Sequence, residues 1–310
     1  MRSDLVELLP DVVLFVAVAR ATSFSRAAKT MGMPVSTVSR RVADFERKLG
    51  VQLLVRSTRQ VALTDAGARY FERCQLVVDA AEVAQTELRG EAEHPRGNLR
   101  VSATQDFALT YLTPIFGAFA ARYPDVSFDL DLTTRSVDLI GERFDVAIRM
   151  GVLPDSQLIA RKLGSAPVAL YAAPAYVKRA GAPKAPRDLV AHDCLRILGS
   201  PGARTEWTLS RRTDVEVVSV KGRIVANGMR FLLELATLGL GIAVIDVALA
   251  REAVQAGRLV RILPEWNAPP VPVHALTSSR LLLSRARLFL DCLSDHLRVG
   301  ETGEDEPAPR

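Results

Sequence analysis

The sequence predicts a mixed α/β protein that begins with a helix-turn-helix domain. Residues 8–90 show apolar residues at helical spacing, interrupted by one short β-rich hairpin, whereas strands and helices alternate from about residue 97 onward. The charge is also divided, because residues 1–63 hold ten of the 40 Lys and Arg but only five of the 35 Asp and Glu. The rest of the chain is therefore formally neutral. This division predicts a polyanion-binding domain joined to a larger globular one.

Helical spacing predicts a first helix over residues 8–20. Its apolar face is formed by Leu8, Val12, Phe15, Val16 and Ala19. Ser23 is then placed as the N-cap of a short second helix, which ends at Gly32. Pro34 suits the start of a third helix, because its fixed φ angle is compatible with the first turn. Two helices joined by a short segment that contains glycine are typical of the helix-turn-helix motif.

The third helix, residues 34–50, has one apolar and one polar face. The apolar stripe consists of Val35, Val38, Val42, Phe45 and Leu49. A solvated surface helix would show the same pattern, but the second helix of a helix-turn-helix lies in the major groove of DNA. Hydroxyls and arginines on the polar face are suited to base edges and phosphates. The candidate DNA contacts on this face are Ser36, Thr37, Ser39, Arg40 and Arg41.

The segment VQLLVRSTRQVALT, residues 51–64, predicts a β hairpin beside the third helix. Such a hairpin is the wing of a winged helix-turn-helix domain. Arg56 and Arg59 lie at its tip, where they are placed to reach a phosphate or the minor groove.

A long helix is predicted from Thr64, its N-cap, to about Arg89, a length of roughly 39 Å. An apolar seam at near-heptad spacing follows this helix, although Gln85 interrupts it. The seam consists of Phe71, Cys74, Val78, Ala81 and Leu88. Packing on its own domain is the alternative, but the length of the helix favours dimerisation with a second chain.

Beyond a polar linker, EAEHPRGN, the remaining two thirds predict α/β layers with mainly parallel sheets. Strands are predicted at LRVSAT, VSFDLDL, DVAIRM, PVALYAAP, GIAVI, LVRILPEW and VPVHALTSS, with further strands within residues 207–226. Helices are predicted at residues 107–124, at SVDLIGERF, at residues 227–239 and 246–257, and near 284–298. About 200 residues exceed one compact unit, so two lobes with a ligand-binding cleft between them are expected.

The N-terminal residues resemble one family closely. The order SFSRAAKTMGM, followed by PVSTVSRRVADFERKLGVQLLVRSTRQVALTDAG, is similar to the DNA-binding domain of LysR-type transcriptional regulators from about residue 8 to 90. The sequence departs from this pattern at position 34, which is Pro where many members have a hydroxyl cap, and at position 35. Val35 replaces a common Gln, so it either touches a thymine methyl group or sits in the core.

The resemblance implies a domain organisation. Residues 1–63 form the winged helix-turn-helix domain, 64–90 the linker and dimerisation helix, 91–96 a hinge, and 97–298 a two-lobed, periplasmic-binding-protein-like effector domain. Lobe 1 takes residues 97–164 and 263–298, and lobe 2 takes 165–262, while the acidic tail 299–310 is expected to be disordered. When the family's cleft positions are transferred to this sequence, the resemblance implies an effector cleft lined by Ser102, Thr104, Gln105, Arg135, Ser136, Arg149, Ser200, Asn227 and Gly228.

These features predict a cytoplasmic, homodimeric or homotetrameric transcriptional regulator that binds double-stranded DNA and a small-molecule effector, with an organic anion as one candidate. A solute-binding protein would explain the cleft but not the basic N-terminal domain. An enzyme with a DNA-binding appendage lacks support, because no catalytic, metal-binding or cofactor motif is present in the sequence. Three separated cysteines predict buried packing, not a disulfide, and no membrane-spanning run or signal peptide is found.

Overall fold

The computed structural model describes residues 2–56, 61–88, 94–139, 141–142, 144–156, 158–198 and 205–302. Within these ranges the side chains of residues 2–6, 56, 82–83, 86–88 and 299–302 are not described. Most of the predicted tail and the hinge up to residue 93 therefore lie outside the described residues. No helix among the described residues is both long and apolar enough to cross a membrane.

The N-terminal part contains the predicted helices and wing. Its elements are α1 (Arg2–Ala21), α2 (Phe24–Met31), α3 (Val35–Leu49), β1 (Leu54–Arg56), β2 (Val61–Leu63) and α4 (Asp65–Leu88). Ser23 caps α2 by accepting a hydrogen bond from the Arg26 amide, and Gly32 ends the helix with a left-handed φ of 62°. The Thr64 hydroxyl accepts from the Gly67 amide at 2.9 Å, as expected of the N-cap of α4.

One apolar core joins all four of these helices to the wing. Phe15 on α1 and Phe45 on α3 are completely buried, and the aromatic ring of Phe71 on α4 meets Phe15 edge-on. Glu46 on α3 fixes the wing, because its carboxylate accepts hydrogen bonds from the amides of Leu53 and Leu54, each at 2.8 Å. The orientation of α3 is therefore set by packing on one side and by the wing on the other.

Lobe 1 is built on a five-stranded sheet in the order β4-β3-β5-β14-β6. Its strands are β3 (Gly97–Ala103), β4 (Val126–Leu132), β5 (Val146–Met150), β6 (Ile159–Ala166) and β14 (Val271–Thr277). One face packs against α10 (Ser284–Thr302) and against a composite helix. This helix runs from α5 (Gln105–Phe107) through a π-helical segment (Ala108–Leu112) into α6 (Thr113–Arg122).

Lobe 2 has its own five-stranded sheet in the order β11-β8-β12-β7-β13. Its strands are β7 (Val168–Ala172), β8 (Cys194–Ile197), β11 (Val225–Ala226), β12 (Ile242–Asp246) and β13 (Val260–Ile262). A separate hairpin pairs β9 (Glu206–Arg211) with β10 (Asp214–Ser219). The helices are α7 (Pro174–Ala180), α8 (Met229–Thr237) and α9 (Val247–Gln255), with a 3₁₀ helix at Pro186–Ala191. The chain passes from lobe 1 to lobe 2 at Pro167, between β6 and β7.

Two predictions about this part are wrong. The sheets are mixed and not mainly parallel, because β14 runs antiparallel to β5 and β6, and β7 runs antiparallel to β12 and β13. The described residues of SVDLIGERF form no helix; they are irregular backbone and turns. Val137 and Leu139 explain the second difference, since they lie two positions apart and are both buried in one apolar cluster, which is typical of extended backbone and not of one helical face. The strands β6 and β8 and the helix α7 were not predicted from the sequence.

Candidate nucleic-acid interface and effector cleft

The first turn of α3 projects from the N-terminal domain. Val35 is 44% exposed, so it leaves the predicted apolar stripe, whereas Val38, Val42 and Phe45 are fully buried. Ser36 and Arg40 are exposed beside Val35, and Thr37 and Ser39 are half-buried. Among the described residues Arg40 has no ion-pair partner. The turn thus offers a hydroxyl, a guanidinium and an apolar surface on one side of a rigid helix.

Arg41 differs from its neighbour because it points toward α1. Its Nε and Nη2 donate to the Asp11 Oδ1 at 2.9 and 2.6 Å, and the Lys48 ammonium lies 3.7 Å from the other oxygen of the same carboxylate. Asp11 is only 7% exposed. This arrangement joins α3 to α1, a role that the sequence analysis did not assign to either residue. The two predicted wing contacts lie outside what is described, Arg59 entirely and Arg56 in its side chain.

The predicted dimerisation seam on α4 is wrong for three of its five residues. Phe71, Cys74 and Val78 lie in the core of the N-terminal domain, where they pack against α1 and its neighbours. Their spacing is that of any buried helical face, so it did not distinguish packing within the domain from packing on a second chain. Ala81 is exposed, and the Leu88 side chain is not described. The exposed apolar residues of α4 instead include Val77, which is 55% exposed, with Ala81 and Ala84 on the same face.

The two lobes face each other across the ends of their strands. Hydrogen bonds between described residues connect them, including the following three. The Arg230 amide donates to the Asp106 carboxylate at 3.0 Å, and the Asn227 side chain donates to the Thr134 hydroxyl at 3.4 Å, both in exposed positions. The Tyr111 hydroxyl donates to the Asp246 carboxylate at 2.5 Å in a buried position. Asp106, Tyr111, Thr134 and Asp246 were missed by the sequence analysis, because nothing in their local sequence indicates a partner more than 90 residues away.

Arg149 and Ser102 meet between the neighbouring strands β5 and β3 of the lobe 1 sheet. The Arg149 guanidinium donates to the Ser102 hydroxyl at 2.9 Å and to the backbone oxygens of Ser102, Ile148 and Arg135 at 3.2, 2.8 and 3.2 Å. No carboxylate among the described residues lies within ion-pair distance of it. Burial lowers the pKa of Arg149 from its usual value, with nearby Asp131 acting in the opposite direction. The guanidinium stays charged, since an arginine pKa lies far above neutrality.

The other predicted effector residues occupy different settings. Thr104 caps α5 by accepting from the Phe107 amide at 3.3 Å, and Gln105 and Ser136 are exposed. Arg135 is exposed and paired with Glu142, which lowers the pKa of that carboxyl to about 2. Asn227 and Gly228 lie where lobe 2 meets Asp106 and Thr134, and Ser200 lies outside the described residues. The described residues contain no cluster of His, Cys, Asp and Glu that would hold a metal ion.

Comparison with protein families matches most of the chain. Residues 9–68 match the model of the bacterial regulatory helix-turn-helix protein of the lysR family, and residues 92–298 match the LysR substrate binding domain. The first match covers the three helices and the wing, and the second covers both lobes.

Individual relatives align over nearly the whole chain. An HTH-type transcriptional regulator of Xanthomonas campestris pv. campestris is 36% identical over 293 residues, which cover 93% of this chain and 85% of the relative. The regulator PtxR of Pseudomonas aeruginosa is 34% identical, with 93% of each chain covered. The solved structure of CrgA, a LysR-type transcriptional regulator from Neisseria meningitidis, is 33% identical with a TM-score of 0.57, covering 93% of this chain and 98% of that one.

Proposed function

The chain belongs to the LysR family of bacterial transcriptional regulators, and we propose that it reads its operator with the first turn of α3 and responds to a carboxylate effector at Arg149. It is a DNA-binding regulator with an effector-binding domain of two α/β lobes. Its relatives are named as transcriptional regulators, and the alternative of a solute-binding protein has no support, because the similarity includes the DNA-binding segment.

The exposed turn that begins α3 carries the DNA-binding half of the proposal. Ser36 and Arg40 face away from the core, on a helix that is held by buried Phe45 and by the Asp11–Arg41 contact. Arg40 is suited to a guanine, which accepts two hydrogen bonds from one guanidinium. Ser36 and Thr37 are placed for phosphates or base edges, and Val35 for a thymine methyl group. In a dimer or tetramer, two copies of this turn meet two half-sites of an operator.

Arg149 carries the effector half. A partly buried guanidinium that meets only neutral oxygens lacks the carboxylate partner that such a charge usually has. The four Nη hydrogens already donate to these oxygens, so a bound carboxylate would accept from the remaining Nε hydrogen and would balance the positive charge of the guanidinium. Ser102 and the backbone oxygens of Ile148 and Arg135 hold the guanidinium in place, so little side-chain entropy is lost on binding. An effector held there, between residues of both lobes, changes the preferred arrangement of the lobes and hence of the DNA-binding ends.

The DNA-binding half is tested by selecting genomic fragments with the purified full chain and footprinting the recovered site at two salt concentrations. We expect protection of two half-sites separated by about one or two helical turns, with steep salt dependence. Uniform, weak protection that varies only with salt would overturn sequence-specific reading by α3.

The effector half is tested by thermal unfolding with a panel of small carboxylates, each paired with its neutral amide. We expect at least one carboxylate to raise the midpoint of the wild type but not of Arg149→Met, and its amide to have no effect. If the amides raise the unfolding midpoint as much as the corresponding carboxylates do, the assignment of an anionic effector is overturned. Arg161→Met, which removes an exposed arginine paired with Asp291 on lobe 1, serves as the matched control.

A further inference from the structure

Tyr111 lies in an irregular turn of its helix. The π-helical segment Ala108–Leu112 is rare in proteins and is frequently found at functional sites. The ring of Tyr111 stacks on Phe107 at 5.1 Å between centroids, within the apolar core of lobe 1. Its hydroxyl leaves that core and reaches the Asp246 carboxylate of lobe 2, 135 residues further along the chain. Tyr111 and Asp246 are 7% and 3% exposed, so this polar contact is shielded from water.

Asp246 connects this contact to the framework of lobe 2. One carboxylate oxygen accepts from Tyr111, and the other accepts from the Leu249 amide at 2.9 Å as the N-cap of α9. Both oxygens of the carboxylate are therefore used, one for each lobe. Burial raises the pKa of Asp246, while the hydrogen bonds from Tyr111 and from the amides of α9 act in the opposite direction. A movement of Tyr111 relative to Asp246 would leave a buried carboxylate oxygen without a partner, which is unfavourable.

The contact lies at the crossover between the lobes. The amide of Val247, the residue after Asp246, donates to the backbone oxygen of Pro167 at 2.9 Å. Pro167 is the residue between the last strand of lobe 1 and the first strand of lobe 2. Ala248 packs on the core of lobe 1 although it belongs to α9. The Asp106–Arg230 contact lies close by, because Met229, the residue before Arg230, accepts from the Asp246 amide through its sulfur at 3.2 Å, but this contact is exposed and not buried.

We propose that Tyr111 and Asp246 form a hinge clamp, a buried interlobe hydrogen bond that holds the two lobes of the effector domain at one angle. The clamp positions the cleft residues of lobe 1 against those of lobe 2, and it acts at the crossover, where a small change of angle becomes a large displacement at the rim. The inference rests on the two-lobed fold and not on the identity of the effector, so its failure would leave the proposed function intact.

Hydrogen exchange of the intact chain tests the clamp in the absence of any effector. Tyr111→Phe keeps the ring and removes only the hydroxyl. We expect amides in residues 164–172 and 245–252 to exchange about tenfold faster, since a hydrogen bond to a charged group is lost at the crossover. Tyr176→Phe is the matched control. Its hydroxyl is also buried, accepts from the Asp193 amide at 3.0 Å and lies 3.1 Å from the His192 Nδ1, all within lobe 2.

The control should raise exchange within residues 174–194 and leave the crossover unchanged. If Tyr111→Phe raises exchange only within residues 105–122, or changes the exchange rate at the crossover less than twofold, the hydroxyl supports only its own helix. Either result would overturn the clamp. A second variant, Asp246→Asn, retains a side-chain oxygen to cap α9. The double variant, with both substitutions, should exchange at the crossover no faster than Tyr111→Phe alone. Additive effects of the two substitutions would show that the two residues act separately.

Discussion

Arg41 donates two hydrogen bonds to the carboxylate of Asp11, which fixes α3, the helix proposed to read DNA, to the first helix of its own domain. Two adjacent arginines of α3 therefore have different roles. Arg40 faces outward and is available to DNA, whereas the guanidinium of Arg41 is held at the surface of α1. If α3 reads the operator as proposed, Asp11 acts through the orientation of this helix and not through direct contact.

Asp11→Ala should lower the free energy of unfolding by about 1.5–3 kcal/mol, because the hydrogen bonds to a largely buried carboxylate are lost and Arg41 is left without its partner. Chemical denaturation of the isolated variant measures this. Arg47→Ala removes the exposed ion pair with Asp44 and should cost about 0–1 kcal/mol. If both variants lost the same small amount, Asp11 would be an ordinary surface carboxylate.

Arg40→Ala should weaken binding to the selected operator by about 1–3 kcal/mol if its guanidinium contacts a guanine, and should change affinity for random DNA much less. Titration of both DNAs at one salt concentration provides the comparison. Equal weakening on operator and random DNA would instead identify Arg40 as a phosphate contact. Arg47→Ala is again a suitable control, since it removes an exposed arginine from the C-terminal end of the same helix.

The N-terminal domain was predictable from the sequence because local signals determine it. Ser23, Gly32 and Thr64 begin or end helices through contacts within a few residues, and each is found where capping chemistry places it. The α4 seam was wrong because a buried helical face has the same spacing whether a domain core or a second chain covers it. The helix predicted at SVDLIGERF was wrong because Val137 and Leu139, two positions apart, are both buried in one cluster, an arrangement of extended backbone and not of one helical face.

The cleft was only partly predictable, because its contacts join residues that are far apart in the sequence. The ends of the strands could be located from the pattern, whereas Arg149 was predicted from the family resemblance. The Tyr111–Asp246 and Asp106–Arg230 contacts join residues more than 120 positions apart, and they depend on the relative placement of two separately folded lobes. No local preference encodes such a pair, so the structure was needed to identify them.

Val77→Asp should weaken self-association, because Val77 with Ala81 and Ala84 forms the exposed apolar face of α4 and a charge there opposes burial against a second chain. Sedimentation of the variant over a range of concentrations measures the change. Glu72→Ala alters an exposed position on another side of the same helix and should leave the assembly unchanged. An assembly that withstands Val77→Asp would locate the main interface outside α4.

The three cysteines should differ in their reaction with a thiol reagent at neutral pH, because the thiolate is the reactive form and burial opposes it. Burial raises the pKa of Cys194 to about 12, and this side chain is fully enclosed in lobe 2, so it should react only when that lobe unfolds. Burial also raises the pKa of Cys74 and Cys292, but Cys292 on α10 is only half-buried and should react first. Mass spectrometry of timed samples gives the order, and a denatured sample, in which all three should react at similar rates, is the control. Rapid modification of Cys194 in the folded chain would mean that lobe 2 opens much more often than its closed core implies.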